Sequence, residues 1–422
     1  MEFSQKKIFL LPFVVLYLFL LYLSFVFIND SLHVINASRK ISSRDFVYDN
    51  DSASKIVDNF TPRSLEVHEV VPLKKQLENP LTVVKAVYVT GWSAGNKSYL
   101  RYLETLFKDT QINAVVVDIK DSAGIVTYAT EAQKAKDYKS YYPEIPDINS
   151  LIDILHQEGV YVIGRMVVFE DPILAKQRPD LAIYDASEPG NGLQPIPWKD
   201  NRGLSWVDPA SEEVWDYNTE IAKDAIDRGF DEINFDYVRF PSDGDVNTMG
   251  FPLWDQKIPR YMVIKNFFRK LRESLPEAKI SVDLFGQTTT NTDDMGIGQV
   301  FEDSFEYVDY VCPMVYPSHY VNGFLGFANP ADYPYEVIKN ALDNARVRRE
   351  AYSKSNDTVM PAKIRPWLQD FTLGAVYDAP MVSREIKAVT DSMGEDFNGF
   401  LLWNPSNIYT KEAVTLESVA PK

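Results

Sequence analysis

Eight apolar runs recur between residues 84 and 404, separated by segments whose apolar residues fall at helical spacing, and this alternation restricts the fold more than any other feature. The runs are VKAVYVT at 84–90, AVVVDIK at 114–120, YVIGRMVV at 161–168, EINFDYV at 232–238, KISVDLF at 279–285, YVCPMVY at 310–316, AKIRPWLQ at 362–369 and GFLLWN at 399–404. Such alternation builds βα units around a parallel sheet. Ile148, Leu151, Ile152 and Leu155 mark one helix, and Tyr261, Ile264, Phe268 and Leu271 another. A third has Asp208 as its cap, Pro209 at its first position and Gly229 at its end, with Val214, Ile221 and Ala225 on one face. Eight strands with seven helices predict a single α/β domain, a closed (β/α)8 TIM barrel, with the eighth helix brief or absent. A doubly wound open sheet fits less well, because no Gly-rich phosphate turn follows the first strand.

Ahead of the barrel, residues 8–28 (IFLLPFVVLYLFLLYLSFVFI) carry no charge and follow Lys6 and Lys7. A run of that length can span a bilayer as a helix, and basic residues on its N-terminal flank hold that end in the cytoplasm. The reading is an uncleaved signal anchor in a single-pass membrane protein, with the C-terminal domain outside the cytoplasm; a cleaved signal peptide fits less well because the run exceeds a normal h-region. The expected organisation is a cytoplasmic tip and transmembrane anchor at 1–29, a polar stalk at 30–80, the barrel at 81–407 and a tail at 408–422.

A net charge of −17 with no clustered Lys and Arg argues against a nucleic-acid partner and favours a neutral or cationic substrate, although whole-chain charge says little about one cleft. The single cysteine, Cys312, excludes an intrachain disulfide and reads as a small core residue. With four histidines besides, no metal site and no cofactor are expected.

Side chains alternate along a strand, so polar residues within the runs mark those that face the barrel axis. Asn234 and Asp236 do so in the fourth run, with Ile233, Phe235 and Tyr237 outward; Ser281 and Asp283 do so in the fifth, and Asp118 and Lys120 in the second. The third run offers Arg165, with Glu170 and Asp171 just beyond. Carboxylates converging on the C-terminal mouth of a barrel are costly without a purpose, and catalysis at that face supplies one. Glycoside hydrolysis needs two, about 5–5.5 Å apart for retention and about 6.5–9.5 Å for inversion. Asp236 and Asp283 on adjacent strands fit the shorter separation. Trp92, Tyr316, Trp367 and Trp403 fall at strand C-termini, where rings can stack on sugars, and Gln369 closes the seventh run. The long stretch 171–204 would lie over the mouth as a substrate loop. Structural readings stand beside these: Asp236 as a buried partner of Arg239 or Arg165, Asp118 with Lys120 as an ion pair, and each aromatic as core.

GFDEINFDYVRFP at 229–241, with VVVDIKD at 115–121, GRMVVFED at 164–171, WVDP at 206–209, VDLFG at 282–286, PMVYPSHY at 313–320 and LLWN at 401–404, resembles a family of uncharacterised glycoside hydrolases related in pattern to the α-amylase-like barrels. The resemblance spans residues 84–407 and implies an Asp nucleophile ending the fourth strand, which Asp236 matches, and a Glu donor ending the fifth, where Asp283 is one methylene shorter. The amylase pattern has Arg two residues before its nucleophile; Asn234 stands there, so transition-state support falls to Arg239 or Arg165. The expected function is retaining hydrolysis of an O-glycosidic bond in an envelope or extracellular polysaccharide, with Asp236 and Asp283 catalytic and Trp92, Asp118, Arg165, Glu170, Arg239, Tyr316, Trp367, Gln369 and Trp403 binding substrate. A non-catalytic glycan-binding barrel at the cell surface is the alternative, and a structural partner of envelope machinery a weaker one.

Overall fold

A computed structural model describes residues 76–188, 195–356 and 358–415. Eight parallel strands close into a barrel: β1 (Val84–Val89), β2 (Ala114–Lys120), β3 (Tyr161–Val167), β4 (Glu232–Asp236), β5 (Ile280–Phe285), β6 (Tyr310–Met314), β7 in two pieces (Lys363–Ile364 and Trp367–Gln369) and β8 (Gly399–Trp403). Each strand pairs with the next, and β8 returns to β1 with Gly399 beside Val84, so the barrel has no edge to protect. Gly399 is required at that seam: its φ is +98°, and a Cβ there would meet the Val84 carbonyl oxygen at 1.8 Å. Pro366, which has no N–H to donate, stands at the interruption of β7.

The alternation read from the sequence sorts the core into two shells. Ala86, Tyr88, Ala114, Val116, Ile163, Cys312, Trp367 and Leu401 fill the barrel interior, while Val87, Val115, Val117, Val162, Ile233, Phe235, Val282, Leu284, Val311 and Leu402 pack outward under the helices. Strands buried on both faces explain why the runs are nearly continuous in apolar residues.

Six helices of ten or more residues surround the barrel among the described residues: α1 (Lys97–Asp109), α2 (Ile148–Gln157), α3 (Glu212–Asp227), α4 (Arg260–Ser274), α5 (Pro334–Ser355) and α6 (Ala379–Met393). The seventh expected helix is missing because the β5–β6 connection, rich in Thr, Gly and Asp, makes only 3-10 turns at Gly286–Thr289 and Phe301–Ser304. The eighth position holds one brief helix, Lys411–Val414. The cap of α3 is Ser211, whose hydroxyl accepts from the Val214 N–H, rather than Asp208. Asp208 instead ties two loops together, accepting from the Ala210 N–H and from Leu253 and Trp254 N–H groups across the mouth.

Packing extends beyond the expected limits of 81–407. Leu77 and Leu81 close the bottom of the barrel, with the Leu77 N–H donating to Asp231 at 2.6 Å. At the other end Tyr409 and Val414 are buried in the outer shell. No helix among the described residues is long and apolar enough to cross a membrane; the run at 8–28 and most of the expected stalk lie outside them.

The bottom of the barrel holds a buried ion pair. Arg365, beside the break in β7, donates through Nη2 to Glu232 Oε1 of β4, both side chains being fully buried. The Tyr161 hydroxyl donates to the other Glu232 oxygen at 3.2 Å, and the guanidinium lies 4.1 Å from the Tyr310 ring. Removing one partner strands a charge in a medium that cannot solvate it. Arg365→Met is therefore expected to destabilise the fold by about 3–5 kcal/mol in urea unfolding, and the Glu232→Leu/Arg365→Met pair to recover most of that loss.

Candidate active site

At the C-terminal end of the strands one cation organises the mouth. Arg165 of β3 donates from Nε (3.0 Å) and Nη2 (2.6 Å) to Asp236 Oδ2 at the end of β4, and from Nη1 to Asp118 Oδ1 of β2 at 2.5 Å. The Tyr88 hydroxyl of β1 donates to the second Asp118 oxygen at 2.5 Å, so four consecutive strands contribute to one chain of hydrogen bonds. Burial raises the Asp118 carboxyl above its ordinary value even though Arg165 and Tyr88 oppose the shift. The remaining Asp236 oxygen accepts from the Tyr237 N–H at 2.6 Å. That contact depends on Tyr237 adopting φ +54°, a conformation that aromatic residues rarely take and that stores strain beside a working group.

Asp283 stands on the neighbouring strand. The register sets Asn234 beside Ser281 and Phe235 beside Val282, one residue short of Asp236 and Asp283. The environments of the two carboxyls differ. Asp283 Oδ1 accepts from the Trp367 Nε1–H at 2.7 Å and the Asn234 side-chain N–H at 2.8 Å, both neutral donors, while Oδ2 is buried without a hydrogen-bond partner among the described residues. Burial, and then the charge of Asp236, push the Asp283 carboxyl well above the usual carboxylate range. Arg165 binds Asp236 directly and acts on Asp283 only at longer range, so one carboxyl is ion-paired and the other is held by neutral donors.

Glu170 lies just past β3, fully buried, with Oε2 paired to Arg202 and Oε1 without a partner. Burial raises its carboxyl to about 8, with Arg202 opposing. Arg202 belongs to the long stretch after β3 and also approaches the Tyr237 hydroxyl at 3.4 Å. That stretch is tied to the loop after β4: Tyr184–Asp185 pairs antiparallel with Met249–Gly250, and the Trp198 Nε1–H donates to the Asp245 carbonyl at 2.9 Å. Residues 189–194 of it lie outside the described residues. Arg239 is buried with its guanidinium 4.8 Å from the Trp206 and Phe285 ring centres and 5.2 Å from that of Tyr237.

Opposite these groups stands an aromatic wall. Tyr316 and Trp403 lie 5.4 Å apart at 31°, Phe371 meets Trp403 edge-on at 4.9 Å, and His319 lies 5.3 Å from Tyr316. Trp367, fully buried beneath, belongs to the interior and serves Asp283 through its indole N–H. His319 and Phe371 were missed in the sequence because neither sits in a strand; the signal was their position one turn past β6 and β7.

Several expected residues stand elsewhere. Lys120 does not face the axis beside Asp118: the β2–β3 register slips between these two residues, and Lys120 turns outward to pair with Asp171 at 2.7 Å and Asn218 of α3 at 3.1 Å. Asp171 also caps the short helix Pro172–Gln177, so both are structural. Tyr237, expected outward, leaves the strand alternation through its positive φ and packs on Trp206 at the mouth. Gln369 is fully buried and engaged, accepting from the Ser318 hydroxyl at 2.8 Å and donating to the Phe371 carbonyl at 2.9 Å, so it holds the wall's loops in place. Trp92 is 57% exposed on a short helix after β1, with Tyr142 as its ring neighbour at 5.8 Å, and does not join the wall. Among the described residues, no three His, Cys, Asp or Glu side chains are grouped to hold a metal ion.

A closed parallel barrel with paired carboxyls and an aromatic wall at its C-terminal mouth has the build of a glycoside hydrolase domain. The chain belongs to the family described as "Putative glycosyl hydrolase domain", whose profile matches residues 86–409. It is 33% identical to a hypothetical protein of known structure from Ruminiclostridium thermocellum, over 50% of this chain and 98% of that one, with a TM-score of 0.42. It is also similar to an α-galactosidase from Thermus thermophilus (14% identity, 81% of this chain and 61% of that one, TM-score 0.46) and to an Anoxybacillus α-amylase (10%, 79% and 75%, 0.43). No curated protein matches.

The state of Glu170 can be tested through stability. The folded protein keeps its proton between the ordinary value of 4.5 and about 8, where the unfolded chain has released it, so folding is penalised progressively as pH rises through that window. Glu170→Gln removes the penalty. In urea unfolding the variant should gain on wild type between about pH 5 and about pH 8.5; a gain by wild type instead would mean an ionised Glu170 stabilised by Arg202.

Proposed function

We propose that this domain hydrolyses O-glycosidic bonds in an envelope or extracellular polysaccharide by the retaining, two-carboxylate route. Asp236 attacks the anomeric carbon, and Asp283 protonates the leaving oxygen and then activates water. The observation carrying this reading is the opposite environment of two carboxyls on adjacent strands: Asp236 held by the Arg165 fork and Asp283 held by neutral donors with one oxygen unpartnered. Two acids in unlike surroundings, one ion-paired and one raised by burial, are what nucleophile and acid roles need. Neighbouring strands lie about 4.8 Å apart, which suits the shorter carboxyl separation of retention. Arg165 and Asp118 position the nucleophile. Tyr316 and Trp403 offer a platform for a sugar ring, and Glu170 and Arg239 border the same mouth. The run at 8–28 supports a membrane anchor with the barrel outside the cytoplasm.

The purified full chain should release new reducing ends from at least one member of a panel of bacterial envelope and extracellular polysaccharides, with the anomer retained by proton NMR. Asp236→Asn should abolish release from polysaccharide and activated aryl glycoside alike. Asp283→Asn should lose about 10²–10⁴-fold on the polysaccharide and far less on the aryl glycoside, whose leaving group needs no proton. Retention of a glycan without release by wild type would support the glycan-binding barrel instead.

A further inference from the structure

Four acidic groups of the mouth each have at least one partner among the described residues. Asp118 and Asp236 share Arg165, Glu170 has Arg202, and Asp283 has two neutral donors. Asp200 is consumed by its own loop, accepting from the N–H groups of Arg202 and Leu204 and from the Trp206 indole.

Arg239 is the exception. It is 7% exposed, and among the described residues it forms no ion pair. Its one protein hydrogen bond there is from Nη1 to the neighbouring Phe240 carbonyl at 3.0 Å. Three rings, Trp206, Tyr237 and Phe285, hold the guanidinium in place without cancelling its charge. Glu170, Asp236 and Asp243 act on it only at longer range, and the first two already have arginine partners. A buried cation without a counter-ion is costly, and a planar fork held between flat rings matches a planar anion. The residues after β4 deliver it there: Tyr237 leaves the extended conformation at φ +54° two positions before Arg239.

We propose that Arg239 binds the carboxylate of an acidic sugar, so that the substrate is a uronate-containing polysaccharide. The inference rests on the hydrolase reading of the same mouth and adds the substrate class. It also reverses the expectation of a neutral or cationic substrate drawn from the whole-chain charge of −17, since the local field of one cleft is set by the groups that line it.

The test is binding, so that turnover is not needed. The full chain carrying Asp236→Asn is titrated with polygalacturonate, polymannuronate, polyglucuronate and hyaluronan, each beside its carboxyl-reduced form. At least one acidic polymer should bind about 10- to 100-fold more tightly than its reduced counterpart, and adding Arg239→Gln should bring the two affinities together while Arg239→Lys keeps part of the difference. Equal affinity within every pair, no binding of any acidic polymer, or a parallel loss on both members in Arg239→Gln would each overturn the proposal. Should Arg239→Gln fail to fold, the comparison of acidic and reduced polymers in the Asp236→Asn chain decides the matter alone. Preference for an acidic polymer that wild type does not cleave would sink the hydrolase reading and leave this one standing; cleavage of neutral polymers alone would do the reverse.

Discussion

The mouth depends on how one guanidinium is shared. Arg165 has two bonds to Asp236 and one to Asp118, and among the described residues it makes none to Asp283. Burial and the Asp236 charge raise the Asp283 carboxyl, and the Arg165 fork, aimed at β4 and β2 rather than β5, opposes that shift only at longer range. Lysine could not reproduce this, since a point charge cannot bridge two acceptors at fixed angles. Tyr88 extends the same logic one strand further by fixing Asp118, which in turn fixes Arg165.

That arrangement requires a rigid frame, and the barrel supplies it by keeping polar groups at its two ends with an apolar plug between. Ala86, Ala114, Val116, Ile163, Cys312 and Leu401 fill the middle. Below them Glu232 and Arg365 form a fully buried pair that links β4 to β7 across the bottom. The two ends share a strand: Glu232, Asn234 and Asp236 all face inward from β4, serving the bottom pair, the Asp283 carboxyl and the Arg165 fork respectively. A register slip of one residue in β4 would turn all three outward, so the apolar residues Ile233 and Phe235 that hold the register also hold the chemistry.

Much of this was legible in the sequence because strand alternation is a strict rule. It placed Asp118, Arg165, Asn234, Asp236 and Asp283 on the inner face, where they are. It failed where the backbone departs from the rule. The bulge after Asp118 turned Lys120 outward, the positive φ of Tyr237 took that ring to the mouth, and Pro366 split β7, none of which periodicity registers. The β5–β6 connection was counted as a helix because the six other connections between strands suggested one. Pairings such as Glu170 with Arg202 and Arg365 with Glu232 join residues 32 and 133 positions apart and emerge only once the barrel has closed.

The departures from regular backbone concentrate at the mouth, and Tyr237 shows why. Its φ of +54° costs about 1–3 kcal/mol that an extended residue would not. In that conformation its N–H reaches back to the Asp236 carboxylate, and the chain turns so that Arg239 enters the aromatic cage two residues later. An extended residue would continue β4 past the rim, leaving Asp236 with only Arg165 and carrying Arg239 away from the opening. The strain is offset by the packing of Tyr237 on Trp206, whose own indole is anchored to Asp200 in the loop after β3. The local cost is thus offset by a loop that is itself part of the outer core, since Trp198, Trp206 and Val207 are buried there, so residues that make the fold also aim its cations.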